Sequence, residues 1–356
     1  MIPPGLVSAL VRTRRALARG RPGLPYKLEL FVTWRCPSRC GTCTLWRRAP
    51  GVELTAAEWQ AVVGSLAPHL LWLSVTGGEP SMRADLGELL VRTTRAAPRL
   101  AYLNLSSNGL RPDALERALA TLLEHPGPRV AITLSLDGLG AEHDRLRGVP
   151  GGFERVLETA RRLQLLRARR PRLAYTFQVT LSAANRARWT ALARFARERS
   201  GGLSPVFSPA SDGVLLTGEA GLGVDLRRSA AEALPQVRSL RDALPCRHPE
   251  DVVTRHYLGT LPDFLASGRA PVPCTAGYAS WSLEPDGTVR RCDSLAETLG
   301  HVRDVGLDLA RLPATPGFGR AFAELPDCRA CWTPCQAYPS LLASPWALYP
   351  ARKSPM

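Results

Sequence analysis

At 356 residues and 45% hydrophobic, the chain is long enough for one large core with a smaller appendage, and no apolar run nears the roughly 18 residues of a membrane span. The N-terminus lacks a signal peptide's apolar region and cleavage site, so a soluble, cytoplasmic protein is expected. The formal charge of +15 is spread as arginine along amphipathic stretches such as "ARRLQLLRARR" (160–170), and aromatics at 6% offer no base-stacking platform. Nucleic acid is therefore not the expected partner; solvated arginine faces are, with an anionic substrate as the alternative.

Residues 1–27 hold one arginine-rich amphipathic helix, with Leu6, Leu10 and Leu17 on one side and a stop at Gly20, expected to pack on the fold rather than anchor in a membrane. From Leu28 to about Pro209, short apolar runs alternate with helical patterns. The strand candidates are 28–34, 71–76, 100–106, 130–136, 174–181 and 203–208, each continuous enough for a buried parallel strand. Between the first two lies a helix opened by a capping box, Thr55 to Glu58; another starts with Pro112 and Asp113 in its first turn. Six such units predict an α/β fold, an open, partial (βα)6 TIM barrel over 28–215, with chemistry at the C-terminal ends of its strands. The pattern changes near 210–225. A helical bridge (216–273), a loop-rich, cysteine-bearing domain (274–340) built on a β-hairpin, and a C-terminal tail (341–356) are expected to follow.

Four motifs fall at the predicted strand ends: the cysteines of "CPSRCGTC", then "TGGEP" (76–80), "SSNG" (106–109) and "SLDG" (135–138). Nine cysteines without an export signal argue for metal or catalysis rather than disulfides. Cys36, Cys40 and Cys43 stand three and two residues apart with no fourth ligand nearby; His69 lies in another βα unit. Three thiolates suit a [4Fe–4S] cluster whose fourth iron is left open, whereas a structural zinc wants a fourth protein ligand. Asp286-Gly287 in "EPDGTV" marks a hairpin that brings Cys274 and Cys292 together at its open end. "CRACWTPC" adds Cys328, Cys331 and Cys335. Cys246 stands alone, either a buried thiol or a hydrogen-atom donor. His143 and Asp144 of "HDRLRG" are expected to fix the loop after the fourth strand.

C-x3-C-x2-C after the first strand, "GGEP" after the second, and "SLDG…HDRLRG…GGFERV" (135–156) resemble the radical S-adenosylmethionine (SAM) superfamily, in the branch with a SPASM or twitch auxiliary-cluster domain. The resemblance covers 28 to about 182 and 274–335. It implies that the open iron chelates the methionine end of SAM and that an electron from the cluster releases a 5′-deoxyadenosyl radical. It also implies an electron donor of flavodoxin or ferredoxin type. Gly77 and Gly78 then allow close approach of the ligand, Glu79 meets its ammonium, Ser106, Asn108 and Ser135 its ribose, and Arg147 its carboxylate. The position before Cys43, aromatic in the family, is Thr42 here, which leaves Trp34 or Trp46 for the adenine.

The C-terminal cysteines are similar to the twitch pattern. They imply one auxiliary [4Fe–4S] cluster held by Cys274, Cys292, Cys328 and Cys331, with Cys335 spare or exchanged for one of these; a four-cysteine zinc site is the alternative. An auxiliary cluster provides an acceptor for the second electron of a net oxidation. The branch implies a peptide-modifying maturase, although 27 residues before the first strand are too few for a fused leader-binding domain. A small-molecule dehydrogenase acting on a sugar, aminocyclitol or lipid headgroup is the second expectation, and a non-catalytic basic zinc module the third. No catalytic side chain is named by the sequence.

Overall fold

The computed structural model describes residues 5–49, 51–210, 230–244, 249–323 and 328–344; Cys246, His248 and most of the expected boundary near 210–225 lie outside them. Six parallel strands, β1 (Lys27–Phe31), β2 (Trp72–Thr76), β3 (Tyr102–Ser107), β4 (Arg129–Ser135), β5 (Leu173–Leu181) and β6 (Val206–Pro209), lie side by side in chain order. Helices α2 (Ala56–Gly64), α3 (Leu86–Ala96), α4 (Pro112–Leu123), α5 (Ala141–Arg147), α6 (Gly152–Arg169) and α7 (Trp189–Arg199) fill the crossovers. The Thr55–Glu58 capping box forms in both directions, and Pro112 opens α4, where its missing N–H costs nothing.

One parity of each strand packs on the helices. Leu28, Leu30, Leu73, Val75, Leu103, Leu105, Val130, Ile132 and Leu134 share one core with Trp59, Val62, Leu89 and Leu119. The other parity is polar and satisfies itself across strands: Trp72 Nε1 donates to Asn104 Oδ1 (2.6 Å), Asn104 Nδ2 to Ser74 Oγ (3.0 Å), and Ser282 Oγ to Glu29 Oε2 (3.3 Å). A polar lining suits a barrel whose inside is occupied by a ligand rather than by packed side chains.

The expected C-terminal hairpin forms around Asp286-Gly287, and it also joins the barrel sheet. Its first strand, β7 (Ser280–Leu283), pairs in parallel with β1, Lys27 opposite Ser280 through Leu30 opposite Leu283. β8 (Thr288–Arg290) and β9 (Thr298–His301) follow antiparallel, so one nine-stranded sheet runs β6-β5-β4-β3-β2-β1-β7-β8-β9. The cause is visible in "SWSL": Trp281 and Leu283 join the helix-side core while Ser280 and Ser282 face the polar parity of β1. Helices Ala230–Ala243 and Pro249–Ser267 form the bridge, and the helix Pro334–Ala343 runs into the stretch expected to be tail. Helix α1 (Leu6–Ala18) seats Leu6, Ala9 and Leu10 on Tyr26, Leu71 and Ala279, at the N-terminal end of the strands. Among the described residues no helix is long and apolar enough to cross a membrane.

Candidate active site

The four motifs converge on the C-terminal ends of β1 to β4 and lace one another together. Gly78 N donates to Thr33 O (2.7 Å) and Glu79 N to Arg35 O (2.8 Å), joining the GGEP turn to the start of the cysteine loop. Gly77 has φ of 129°, and a Cβ there would press into the Thr33 carbonyl; one at Gly78 would meet the carbonyls of Arg35 and Trp34. Close approach is thus required, as expected, but what approaches in the structure is the cysteine loop's own backbone. Gly78→Ala should displace that loop and lower iron loading at this site, measured as iron per reconstituted chain; full loading would show that the loop yields freely.

Glu79 is fully enclosed. Its Oε1 accepts from Ser81 N (3.1 Å) and Ser107 Oγ (2.9 Å), and its Oε2 from Asn108 N (2.7 Å). The expected ammonium contact would be an added bond to a carboxylate that already holds two loops. Asn108 carries the link onward: its Nδ2 donates to Ser38 Oγ (3.0 Å) and lies 3.9 Å from Cys36 Sγ. Ser107, which the sequence reading passed over, therefore bears on the site, while Ser106, one residue before the end of β3, and Ser135, the last of β4, lie on the opposite parity, across from Thr133 and Gln178.

The fourth motif grips the cysteine loop from the other side. Arg39 N donates to Arg147 O (2.9 Å) and Gly41 N to Leu146 O (3.2 Å), bracketing Cys40. Arg147 Nη1 pairs with Asp137 Oδ2 (2.9 Å), so the guanidinium expected to face only a substrate carboxylate has a buried anion of its own. Burial opposes its charge, but the negative charge that Cys40 carries as a thiolate and the Asp137 carboxylate outweigh that and raise its pKa. Burial, and then the Arg147 charge, push His143 down to about 4, so the neutral ring accepts from Asp137 N at Nδ1 (3.3 Å). Asp144 accepts from Gly151 N (2.6 Å) and Phe153 N (2.7 Å) at the start of α6. Both residues fix this loop, as the sequence suggested.

Burial pushes the thiols of Cys36 and Cys40 up and that of Cys43 up to about 11. Left to themselves they would stay protonated; a bound metal reverses this by ligating the thiolate. Three thiols on one loop, with no fourth protein ligand among their described partners, fit a cluster with one iron left open better than a structural zinc. Trp34 is buried with Phe31 and Leu45, and Trp46 Nε1 donates to Cys43 O (2.8 Å).

Cys274, Cys292, Cys328 and Cys331 line a single cavity of about 280 Å³, bounded also by Pro209 and Ala210 at the end of β6 and by Gln336. Cys274 N donates to Cys328 O (3.0 Å). Burial raises the thiols of Cys274 to about 11 and Cys331 to about 12, and that of Cys292 well above its usual value. Four thiols around one void fit a second cluster. Cys335 is not in that lining. Its Sγ lies 3.8 Å from Asp293 Oδ2, and with Glu29 these form a close-set trio, beneath which Lys27 Nζ donates to Cys335 O (2.6 Å). Burial, opposed by Lys27, pushes Glu29 up to about 7. A glutamate in mid-strand "LELF" was the sequence signal for this group.

The Radical SAM superfamily model matches residues 30–177, the segment that carries all four motifs. Over this segment, less than half of its length, the chain is similar to the radical SAM superfamily. Among curated relatives it is 25% identical over 287 residues to the sporulation killing factor maturation protein SkfB of Bacillus subtilis (strain 168), covering 78% of this chain and 63% of that one. It is 36% identical over 155 residues to the PqqA peptide cyclase of Rhizobium meliloti (strain 1021), covering 42% of this chain and 38% of that one. The chain thus spans less than two thirds of these relatives. Streptococcus suis SuiB, solved bound to precursor peptide SuiA, superposes with a TM-score of 0.60 at 17% identity over 86% of this chain and 68% of that one, which establishes the shared partial-barrel fold.

Proposed function

We propose that the chain is a radical SAM enzyme that modifies a peptide by a net two-electron oxidation, using Cys36, Cys40 and Cys43 for a SAM-binding [4Fe–4S] cluster and Cys274, Cys292, Cys328 and Cys331 for an auxiliary one. The observation that carries the reading is the four-cysteine cavity against the end of β6, on the same rim as the three-cysteine loop. With a cluster and SAM bound, the site would supply a 5′-deoxyadenosyl radical, able to take a hydrogen atom from an unactivated C–H bond. The second electron of the oxidation needs an acceptor within the protein, and the remaining proton leaves the substrate.

The chain's own residues do the positioning. Glu79 and Asn108 hold the cysteine loop from one side, and the Leu146 and Arg147 carbonyls hold it from the other. Arg147, anchored through Nη1, offers its remaining donors to the SAM carboxylate, and Ser106 and Ser135 stand at the strand ends for the ribose. The polar barrel lining receives substrate between the two cysteine sites. A peptide substrate is supported by the relatives: one is a maturation protein, one a peptide cyclase, and SuiB is solved with a precursor peptide.

The test separates the two sites. Replacing Cys328 and Cys331 by alanine should leave reductive SAM cleavage in place, since those ligands lie outside the loop that binds SAM, while product lighter by two hydrogens is lost. Deuterium from labelled substrate should still reach 5′-deoxyadenosine. The variant must first be shown to keep its barrel cluster, because metal ligands also hold domains together. Undiminished product would show the second site to be structural, and oxidation of a small polyol in preference to any short peptide encoded beside the enzyme would overturn the peptide assignment.

A further inference from the structure

Gln336 is 2% exposed and stands in the first turn of the helix Pro334–Ala343. Its amide is satisfied at one end only. Oε1 accepts from Ser280 Oγ (3.0 Å), which ties the helix to β7, whereas Nε2 is closed to solvent and meets no acceptor among the described residues. Buried N–H groups are rarely left so, because the water they lose is then not replaced. Gln336 also lines the cavity of Cys274, Cys292, Cys328 and Cys331. The same walls carry other donors. Ala276 N donates to Cys274 Sγ (3.4 Å), and the main-chain N–H groups of Ser294 and Thr333 bond the sulfurs of Cys292 and Cys331. Arg291, buried and held by Nε on Ala276 O (3.0 Å), adds a positive charge to the lining. The cavity is thus built to hold negative charge, and the Gln336 amide brings to it a donor for which the described residues supply no acceptor.

We propose that Gln336 Nε2 donates a hydrogen bond to a sulfur of the cluster held by Cys274, Cys292, Cys328 and Cys331, and so raises that cluster's reduction potential. The inference rests on the function proposed above, which places a cluster in this cavity, and it names the side chain that fits the cluster to accept an electron. The reaction concerned is a one-electron reduction in which no bond is made and no proton is exchanged; the electron is the one that the substrate radical gives up. Added negative charge falls partly on the sulfurs, so an N–H aimed at one of them steadies the reduced form more than the oxidised form. Because Ser280 clamps Oε1, the amide is already turned toward the cavity before the electron arrives. The tie to Ser280 uses only the acceptor end of the amide and leaves the donor end for the cluster.

The test uses the reconstituted full chain carrying glutamine labelled with nitrogen-15 in its side-chain amide, reduced with dithionite and read by pulsed paramagnetic resonance. Wild type should show a coupling between the reduced cluster and the labelled nitrogen, and the Cys36/Cys40/Cys43 triple alanine chain should keep it, which assigns it to the auxiliary site. Gln336→Met and Gln336→Leu, once shown by iron content to be loaded, should abolish the coupling. Each should also lower the potential of that cluster, cutting its ratio of reduced to oxidised form at a fixed potential by about tenfold, or about 59 mV for a one-electron couple. Ser280→Ala removes the tie at the other end of the amide and should leave the potential near that of wild type. No coupling in wild type, a coupling that persists in the Gln336 variants, or an equal shift in Ser280→Ala would overturn the assignment. A wild-type chain that loads the iron of one cluster only overturns the proposed function itself, a different failure.

Discussion

Replacing Cys36, Cys40 and Cys43 together by alanine is expected to halve the iron of the reconstituted protein, from about eight to about four atoms per chain, and to abolish formation of 5′-deoxyadenosine. The halving follows from the separation of the ligand sets. The four cysteines that line the cavity include none of these three. They are held instead by Cys274 N bonding to the Cys328 carbonyl and by the β7–β8 hairpin, neither of which passes through the first loop. The loop should survive as backbone, since its anchors to Gly78, Glu79, Leu146 and Arg147 are main-chain bonds. Iron and sulfide analysis with resonance spectra checks this. Loss of all iron would show the two sites to be interdependent, and zinc without sulfide in the wild type would remove the cluster assignment altogether.

Glu79→Ala should be the most damaging single substitution outside the cysteines, and its effect should already be present before any SAM is added. The carboxylate is enclosed and serves three donors, Ser81 N–H, Ser107 O–H and Asn108 N–H. Alanine leaves all three without an acceptor in a space closed to water, at about 1–3 kcal/mol each, so a loss of several kcal/mol is expected. Asn108 then loses the bond that aims its amide at Ser38, and the cysteine loop loosens. Thermal unfolding of the metal-free protein measures the first effect and SAM titration of the loaded enzyme the second. Were Glu79 only a ligand contact, the metal-free variant would melt with the wild type and only the titration would change. Glu79→Gln keeps one amide carbonyl oxygen for two of the donors and should fall between wild type and Glu79→Ala.

The six strands, the capping box at Thr55 and the motif at each strand end were legible because each is a local pattern. Apolar continuity marks a strand buried on both faces, and an N-cap needs only its third neighbour. What lay across the barrel was not legible. "SWSL" reads correctly as a hairpin strand, yet nothing in four residues says that its other edge pairs with Lys27–Leu30, about 250 positions earlier. The same limit hid the meeting of Glu29 with Asp293 and Cys335, and the separation of Cys335 from the other four C-terminal cysteines. Spacing assigned the two glycines a need for room but did not say whose atoms would fill it. In Arg147 the residue type was informative and the partner was not, because Asp137 stands on the preceding turn and competes for the same guanidinium.

The parallel pairing of β7 with β1 bears on how this protein can be divided. A piece ending at the last strand of the barrel would leave Lys27–Phe31 as a bare edge, its amides and carbonyls open to any extended chain. It would also expose Glu29 and Lys27, which the C-terminal segment now covers through Ser282 and the Cys335 carbonyl. The cysteine-bearing C-terminal segment is therefore no detachable cartridge. Exchange with a relative's segment would have to carry β1 with it, and the offset between the two cysteine sites is set by strand register rather than by the length of a tether.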